Sequence, residues 1–398
     1  MGYGFRRADV AFLGSGAGAA ALAEVDRLEL TPATHLRDLE RVRRDHGAWA
    51  AALVETVRLR RRAAAKLADA VEWLFTEDAL QQATPTMVAR QRAARLADRA
   101  VHDVTCSIGA ELAELARVCP SVIGSDLDDV RLSMAAHNMS GNRNLLLAKA
   151  DALVPVSRDT VVVADPARRA DGRRTHDPTK LQPPLPDLLA AYAGRDLVVK
   201  CAPGLDFDRM GWPGEIEVVS LDGAVREACL WSPGLAEAGV TRRATVLTAG
   251  GAARTYTGTD PDDIPEQDPG EWIIDPDGAV VRAGLVRHYA AKHGLWQLDP
   301  RIAYLTGDQL PDGIRGFRIV DQLEFREKTL RSELRRRDCG ALEILVRGVD
   351  VDPDQLRRRL KPAGTQSYTL VITRIGRAAT VFLCVAFADQ QSVSSAVR

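Results

Sequence analysis

Four aspartates in this chain each close a short apolar run. Asp103 ends "VHD", Asp126 ends "SVIGSD", Asp151 follows "NLLLAKA" and Asp165 follows "TVVVA". Runs of that kind, separated by helical segments, read as parallel strands, and a parallel sheet presents its strand ends along one crevice. A carboxylate at the end of the second strand can accept both hydroxyls of an adenosine ribose, and Asp126 stands 17 positions after Gly109. Asp151, in "KADAL", can accept an adenine amino group. Asp165 and Pro166 then lie at the mouth of the crevice, where the carboxylate and the proline carbonyl together can hold an N–H and align its nitrogen.

The tight turn after the first strand is "DVTCSIGAELAEL". Its acidic residue, turn and immediate helix have the layout of a nucleoside-cofactor loop, and Asp103, Thr105, Cys106, Ser107 and Gly109 are its candidate contacts. On the neighbouring turns, Leu127 and Ala152 join them. Thr105 and Ser107 occupy positions where glycine is common, and a side chain held at positive φ costs about 1–2 kcal/mol. An earlier glycine-rich stretch, "VAFLGSGAGAAAL", resembles a dinucleotide fingerprint, but its third glycine is misplaced and no second strand follows. A glycine-rich helix entry accounts for it better than a nicotinamide site.

Two further features bear on chemistry. In "VADPARR", Arg168 and Arg169 follow the strand-end Asp-Pro, and a guanidinium plane there can stack on a base or bind phosphate. In "VVKCAPG", Cys201 at the end of the fifth strand is a candidate nucleophile for addition to a pyrimidine, with Lys200 beside it to lower its pKa; a small residue packed under the loop is the plainer reading. Lys200 is also a candidate substrate contact.

The elements that must position these groups follow from texture. Residues 1–96 read as helical, rich in Ala, Leu, Arg and Glu at helical spacing. From about 97 to 250, strands and helices alternate, which predicts an α/β, doubly wound Rossmann-like domain, with "EIEVVSL" and "RRATVLT" as an antiparallel edge. Residues 251–315 read as a connecting segment, and 316–398 as a small α+β domain whose helix is capped by Asp352 and Pro353.

The motifs "LQQATPTMVARQRAARLAD", "DVTCSIGAELAELA", "VIGSDLD", "VADPARR", "VVKCAPGLDF", "HGLWQLDPRIAYLTGD" and "ALEILVRGVDVDPDQLRRRLK" span most of the chain from residue 75 onward. Together they resemble the class I S-adenosylmethionine-dependent methyltransferases that carry a C-terminal THUMP-like domain. The resemblance implies S-adenosylmethionine as cofactor and RNA, tRNA or rRNA in particular, as the methylated partner.

Composition sets the remaining bounds. The 398 residues carry a net charge of −1, yet from Arg301 onward 17 Lys and Arg face 12 Asp and Glu. A basic end on an acidic body suits a module facing nucleic acid. Six scattered cysteines without C-x-x-C, and His288 and His293 five apart, argue against a disulfide framework or a metal site, the histidines reading as surface residues. No apolar run approaches the roughly 18–20 residues that span a membrane, and Glu24 and Asp26 break the N-terminal apolar stretch, so a cytoplasmic protein is expected.

Overall fold

The computed structural model describes residues 2–167 and 177–386, together with the backbone of 169–170 and 173–174. Contacts divide the chain into two compact units, one of residues 1–238 and 247–253, the other of 239–246 and 254–398.

The first unit begins with six helices, α1 (Arg7–Leu13), α2 (Gly16–Val25), α3 (His35–His46), α4 (Ala50–Ala63), α5 (Glu77–Gln82) and α6 (Thr86–Arg95). The glycine-rich stretch is a helix–turn–helix: Gly14 caps α1, and Ser15 Oγ accepts from Gly18 N to start α2. Gly18 is needed there because a Cβ would lie 2.0 Å from the Phe12 carbonyl oxygen.

Strands β1 (Val101–Asp103), β2 (Val122–Asp126), β3 (Leu145–Lys149) and β4 (Val161–Ala164) follow, with α7 (Ala110–Val118) and α8 (Asp129–Asn138) between the first three. Beyond them lie a short hairpin of β5 (Arg169–Ala170) and β6 (Arg173–Arg174), α9 (Leu185–Ala191), β7 (Leu197–Cys201), α10 (Phe207–Met210), β8 (Glu215–Leu221) and β9 (Ala224–Trp231). The strands of this unit run in the order β8-β9-β7-β4-β1-β2-β3. All neighbours from β3 to β7 are parallel, and β9 is antiparallel to both β7 and β8. The Rossmann-like expectation holds, but the antiparallel member is β9, "AVREACLW". Arg226 and Glu227 interrupt its apolar run, so the sequence pattern does not mark it as a strand.

The helical region and the sheet share one hydrophobic core that runs from Phe5 through Leu53, Leu74 and Leu112 to Trp231. Every residue of β4 and β7 is buried, as central parallel strands require. Their ends are therefore fixed by packing on both faces.

In the second unit, β12 (Trp272–Ile274), β13 (Trp296–Gln297), β14 (Leu305–Gly307), β15 (Gly316–Glu324), β16 (Cys339–Arg347), β17 (Gln366–Ile375) and β18 (Ala378–Ala386) form a sheet in the order β13-β14-β12-β15-β18-β17-β16; β10 (Arg242–Leu247) and β11 (Ala253–Thr257) precede them. Alternation along β17 and β18 sends Leu370, Ile372, Val381 and Leu383 to one face. There they meet Leu330 and Leu334 of α13 (Glu327–Arg336) and Leu356 and Leu360 of α14 (Pro353–Leu360). Val371, Phe382 and Cys384 face the other way and pack with Leu298, Ile302 and Tyr304. Residues 251–315 thus supply three strands and part of the cover of this sheet. Asp352 caps α14 as expected, accepting from the backbone N–H of Asp354 and Gln355.

His288 and His293 both fall on α12 (Val286–His293), which follows α11 (Gly278–Arg282). They are half-buried, and His293 Nε2 is hydrogen-bonded to Tyr256 Oη at 2.9 Å, which corrects the expectation of surface histidines. Among the described residues no single helix is long and apolar enough to cross a membrane.

Candidate functional site

The strand ends of the first unit open on a cavity of about 470 Å³. Asp103, Thr105, Cys106, Ser107, Asp126, Leu127, Asp151, Ala152, Asp165 and Lys200 all line it. Gly109 does not. It is the residue before α7, at φ +88°, and its part is conformational, since only glycine adopts that backbone without strain. Pro166 lines a second cavity, of about 410 Å³, which shares Thr84, Asp165 and Lys200 with the first. Arg168 lies outside the described residues, and Arg169 is described only as backbone in β5.

The two residues at glycine-like positions differ in kind. Ser107 does adopt a left-handed backbone, at φ +51°, and its N–H donates to Asp126 Oδ2 at 2.9 Å. Thr105 carries no such strain. Its backbone N–H donates to Asp103 Oδ1 at 3.0 Å, and its hydroxyl oxygen accepts the Asp165 N–H at 2.7 Å. Asp126 Oδ1 also accepts the Asp128 N–H, while Asp128 caps α8, so the turn after β2 is held at both ends. Asp151 closes its own turn by accepting from Leu153 N.

Behind the strand ends lies a buried charge network. Lys200 Nζ donates to Asp165 Oδ2 and to Thr84 Oγ1, and is 3.9 Å from Glu227 Oε2. Arg92, from α6, is paired with Glu227 and stands 3.4 Å from Glu111 Oε1. Burial pulls the Lys200 ammonium down, but Asp165, Glu227 and Glu111 together hold it above its ordinary value, so it is a fixed cation. Burial pushes the Asp103 carboxyl up to about 7, with the Thr105 N–H pulling it down and Glu111 and Asp165 adding to the rise. Glu111 is also raised by burial, against the pull of Arg92.

Glu111 reports on what fits the first cavity. It is about nine-tenths buried on the cavity wall, and neither carboxylate oxygen has a hydrogen-bond partner. Buried polar atoms are normally satisfied. With Asp103, Asp126, Asp151 and Asp165 on the same wall, the cavity suits a ligand carrying positive charge and several hydroxyl or amino donors. Cys201 faces away, as its neighbour Lys200 on the strand faces in. Its thiol is buried, points to the Val199 carbonyl, and lines neither cavity.

Sequence reasoning did not single out Thr84, Gln82, Arg92, Glu111 or Glu227. Glu111 was visible as the second residue of the helix after Gly109. Nothing in the spacing ties Thr84 to Lys200, which is 116 residues away.

Comparison with known proteins decides the family. The chain is 55% identical over 354 residues to an uncharacterised S-adenosylmethionine-dependent methyltransferase of Mycobacterium tuberculosis, covering 85% of this chain and 97% of that protein; the match is the same in strains CDC 1551 and H37Rv. The chain belongs to this family of S-adenosylmethionine-dependent methyltransferases. Residues 314–386 of the methyltransferase match a THUMP domain-like family, and residues 6–63 match a domain of unknown function. A crystal structure from Porphyromonas gingivalis W83, assigned as a methyltransferase, has the same fold at a TM-score of 0.75, with 20% identity over 93% of this chain and 98% of that one.

Proposed function

We propose that this methyltransferase modifies a base nitrogen of structured RNA, tRNA or rRNA, with Asp165 orienting the acceptor. The single observation behind this reading is that Asp165, held by Lys200 and by Thr105, lines both cavities at once. A carboxylate so shared can touch a ligand in either one.

In the first cavity, Asp126 would receive the ribose hydroxyls of S-adenosylmethionine, Asp151 the adenine amino group, and Asp103 with Glu111 the cationic methionine end. Leu127, Cys106, Ser107 and Ala152 form the walls around them. The bound cofactor supplies an electrophilic methyl group on sulfur. The protein's own work is alignment. Lys200 engages Asp165 Oδ2 and leaves Oδ1 for an incoming N–H, with the Pro166 carbonyl as a second acceptor and Arg168 and Arg169 as proposed contacts to base or phosphate. A base nitrogen held in this way presents its lone pair to the cofactor side of Asp165.

The THUMP-like unit supports RNA as the substrate class, as does the basic balance of the chain from Arg301 onward. The alternative reading of Thr105 and Ser107, a non-catalytic RNA-binding protein with a degenerate methyltransferase fold, is disfavoured because both residues retain hydrogen bonds across the loop. A pyrimidine C5 mechanism is disfavoured because Cys201 reaches neither cavity. The reading is tested by comparing modification profiles of total RNA from cells with and without the gene. One methylated base should disappear, and an unchanged profile would count against RNA.

A further inference from the structure

The second cavity differs from the first in its electrostatics. The cofactor cavity is walled by five carboxylates against Lys200 and Arg131. On the far side of Asp165 and Lys200, the second cavity is bordered by Lys66, at the end of the α4 region, and by Arg226 on β9. Lys66 Nζ donates to the Leu80 and Gln81 carbonyls at 2.9 and 3.1 Å, and Arg226 Nη2 to the Leu221 carbonyl at 3.4 Å. Each retains further N–H donors, and among the described residues neither is ion-paired with a carboxylate. Burial, and after it the positive Lys200 and Arg226, bring Lys66 down to about 8, so it remains largely protonated at neutral pH. The two carboxylates on this side are already committed: Glu227 to Arg92, and Asp165 to Lys200. Two uncommitted cations at the lip of a cavity are an anion site in search of its anion.

We infer that the second cavity is a phosphate-anchored acceptor slot: Lys66 and Arg226 grip the phosphate of a single nucleotide whose base reaches Asp165. This rests on the methyl-transfer reading of Asp165 given above and adds the chemical class of what enters. The volume of about 410 Å³ admits one nucleotide and not a duplex, so the base enters unpaired. Gln82 and Thr84, lining the same wall, offer amide and hydroxyl groups to a base edge, and both belong to the N-terminal helical region. Charge then sorts the ligands, the cationic cofactor to the acidic side and the anionic acceptor to the basic side.

The test uses the full chain saturated with S-adenosylhomocysteine, titrated calorimetrically with the four nucleosides and their 5′-monophosphates. At least one monophosphate should bind about tenfold or more tighter than its nucleoside, as charge-assisted bonds to phosphate require. In Lys66→Met and Arg226→Gln that advantage should shrink to about threefold or less, with S-adenosylhomocysteine affinity unchanged. Should Lys66→Met fail to fold, Arg226→Gln, at an exposed position, carries the test alone. No monophosphate advantage in the wild type, or an advantage untouched by the folded variants, overturns the slot. Total tRNA and rRNA from cells lacking the gene then separate this inference from the RNA reading. If the monophosphate binds through Lys66 and Arg226 but the RNA does not displace it, the slot stands for a free nucleotide and the RNA reading falls. If the RNA binds and the monophosphates show no advantage, the slot falls and the RNA reading remains.

Discussion

The Thr105 hydroxyl oxygen accepts the backbone N–H of Asp165 at 2.7 Å, joining the loop after β1 to the end of β4. A residue that looks like a lost glycine therefore fixes the group proposed to meet the acceptor. Thr105→Val keeps the shape and removes the bond, leaving an N–H unpaired at a cost of about 1–3 kcal/mol. Methyl transfer should fall by roughly tenfold to a hundredfold in kcat if that cost falls on the aligned state. Cofactor affinity should change little, and Thr105→Ser should restore the rate. Steady-state kinetics with a labelled methyl donor checks this.

Ser107 is where strain does reside. Ser107→Gly relieves a left-handed backbone at about 1–2 kcal/mol but adds unfolded-state entropy of about 0.5–1 kcal/mol. Denaturant unfolding should therefore show a net stabilisation of roughly 0.5–1 kcal/mol. The N–H to Asp126 persists in the variant, so cofactor affinity should stay within about threefold. Asp126→Ala should instead weaken the cofactor severely, since charge-assisted hydrogen bonds of about 1.5–3 kcal/mol each are lost.

The four aspartates and the parallel strands before them were legible because a doubly covered strand must be apolar throughout and must end at the crevice. Their partners were not. The Asp165–Lys200 pair spans 35 residues, and Lys200 reads as a neighbour of Cys201 until strand alternation turns the two to opposite sides. Thr84 and Arg92 come from the helical region, whose sequence shows an amphipathic pattern and no sign of which residues reach the sheet. The cost expected of Thr105 was misjudged because spacing alone does not reveal φ, whereas the cost expected of Ser107 is real.

Asp103 supplies a pH dependence. Its carboxyl is pushed up to about 7 by burial, so below that value it is mostly neutral and above it mostly ionised. If Asp103 meets the cationic end of the cofactor as proposed, binding favours the ionised form, and affinity should rise as pH increases from 6 to 8. Asp103→Asn should bind more weakly and flatten the profile across this range. Calorimetry at fixed ionic strength gives both curves.

In the second unit most arginines of the two triplets 335–337 and 357–359 are engaged. Arg336 and Arg337 share Glu333, Arg357 pairs with Asp354, and Arg359 with Glu327. Arg335 and Arg358 are exposed and make no ion pair among the described residues. If this unit contacts RNA phosphate, Arg335→Ala with Arg358→Ala should reduce the slope of log K against log salt by about 1.4–1.8, the release expected for two phosphates. Replacing Arg336 and Arg337 should move it less. Truncation at Gly316 is a poorer test, because β12, β13 and β14 would lose the sheet they belong to.

The central claim is that Asp165 aligns the acceptor for methyl transfer to RNA. Its most direct measurement is single-turnover transfer of a labelled methyl group to RNA from cells lacking the gene, comparing wild type with Asp165→Asn at saturating S-adenosylmethionine. Wild type should label one RNA species, and Asp165→Asn should be slower by about a hundredfold or more with an unchanged cofactor Kd. Equal rates for the two proteins, or no label in RNA from the wild type, would contradict the account.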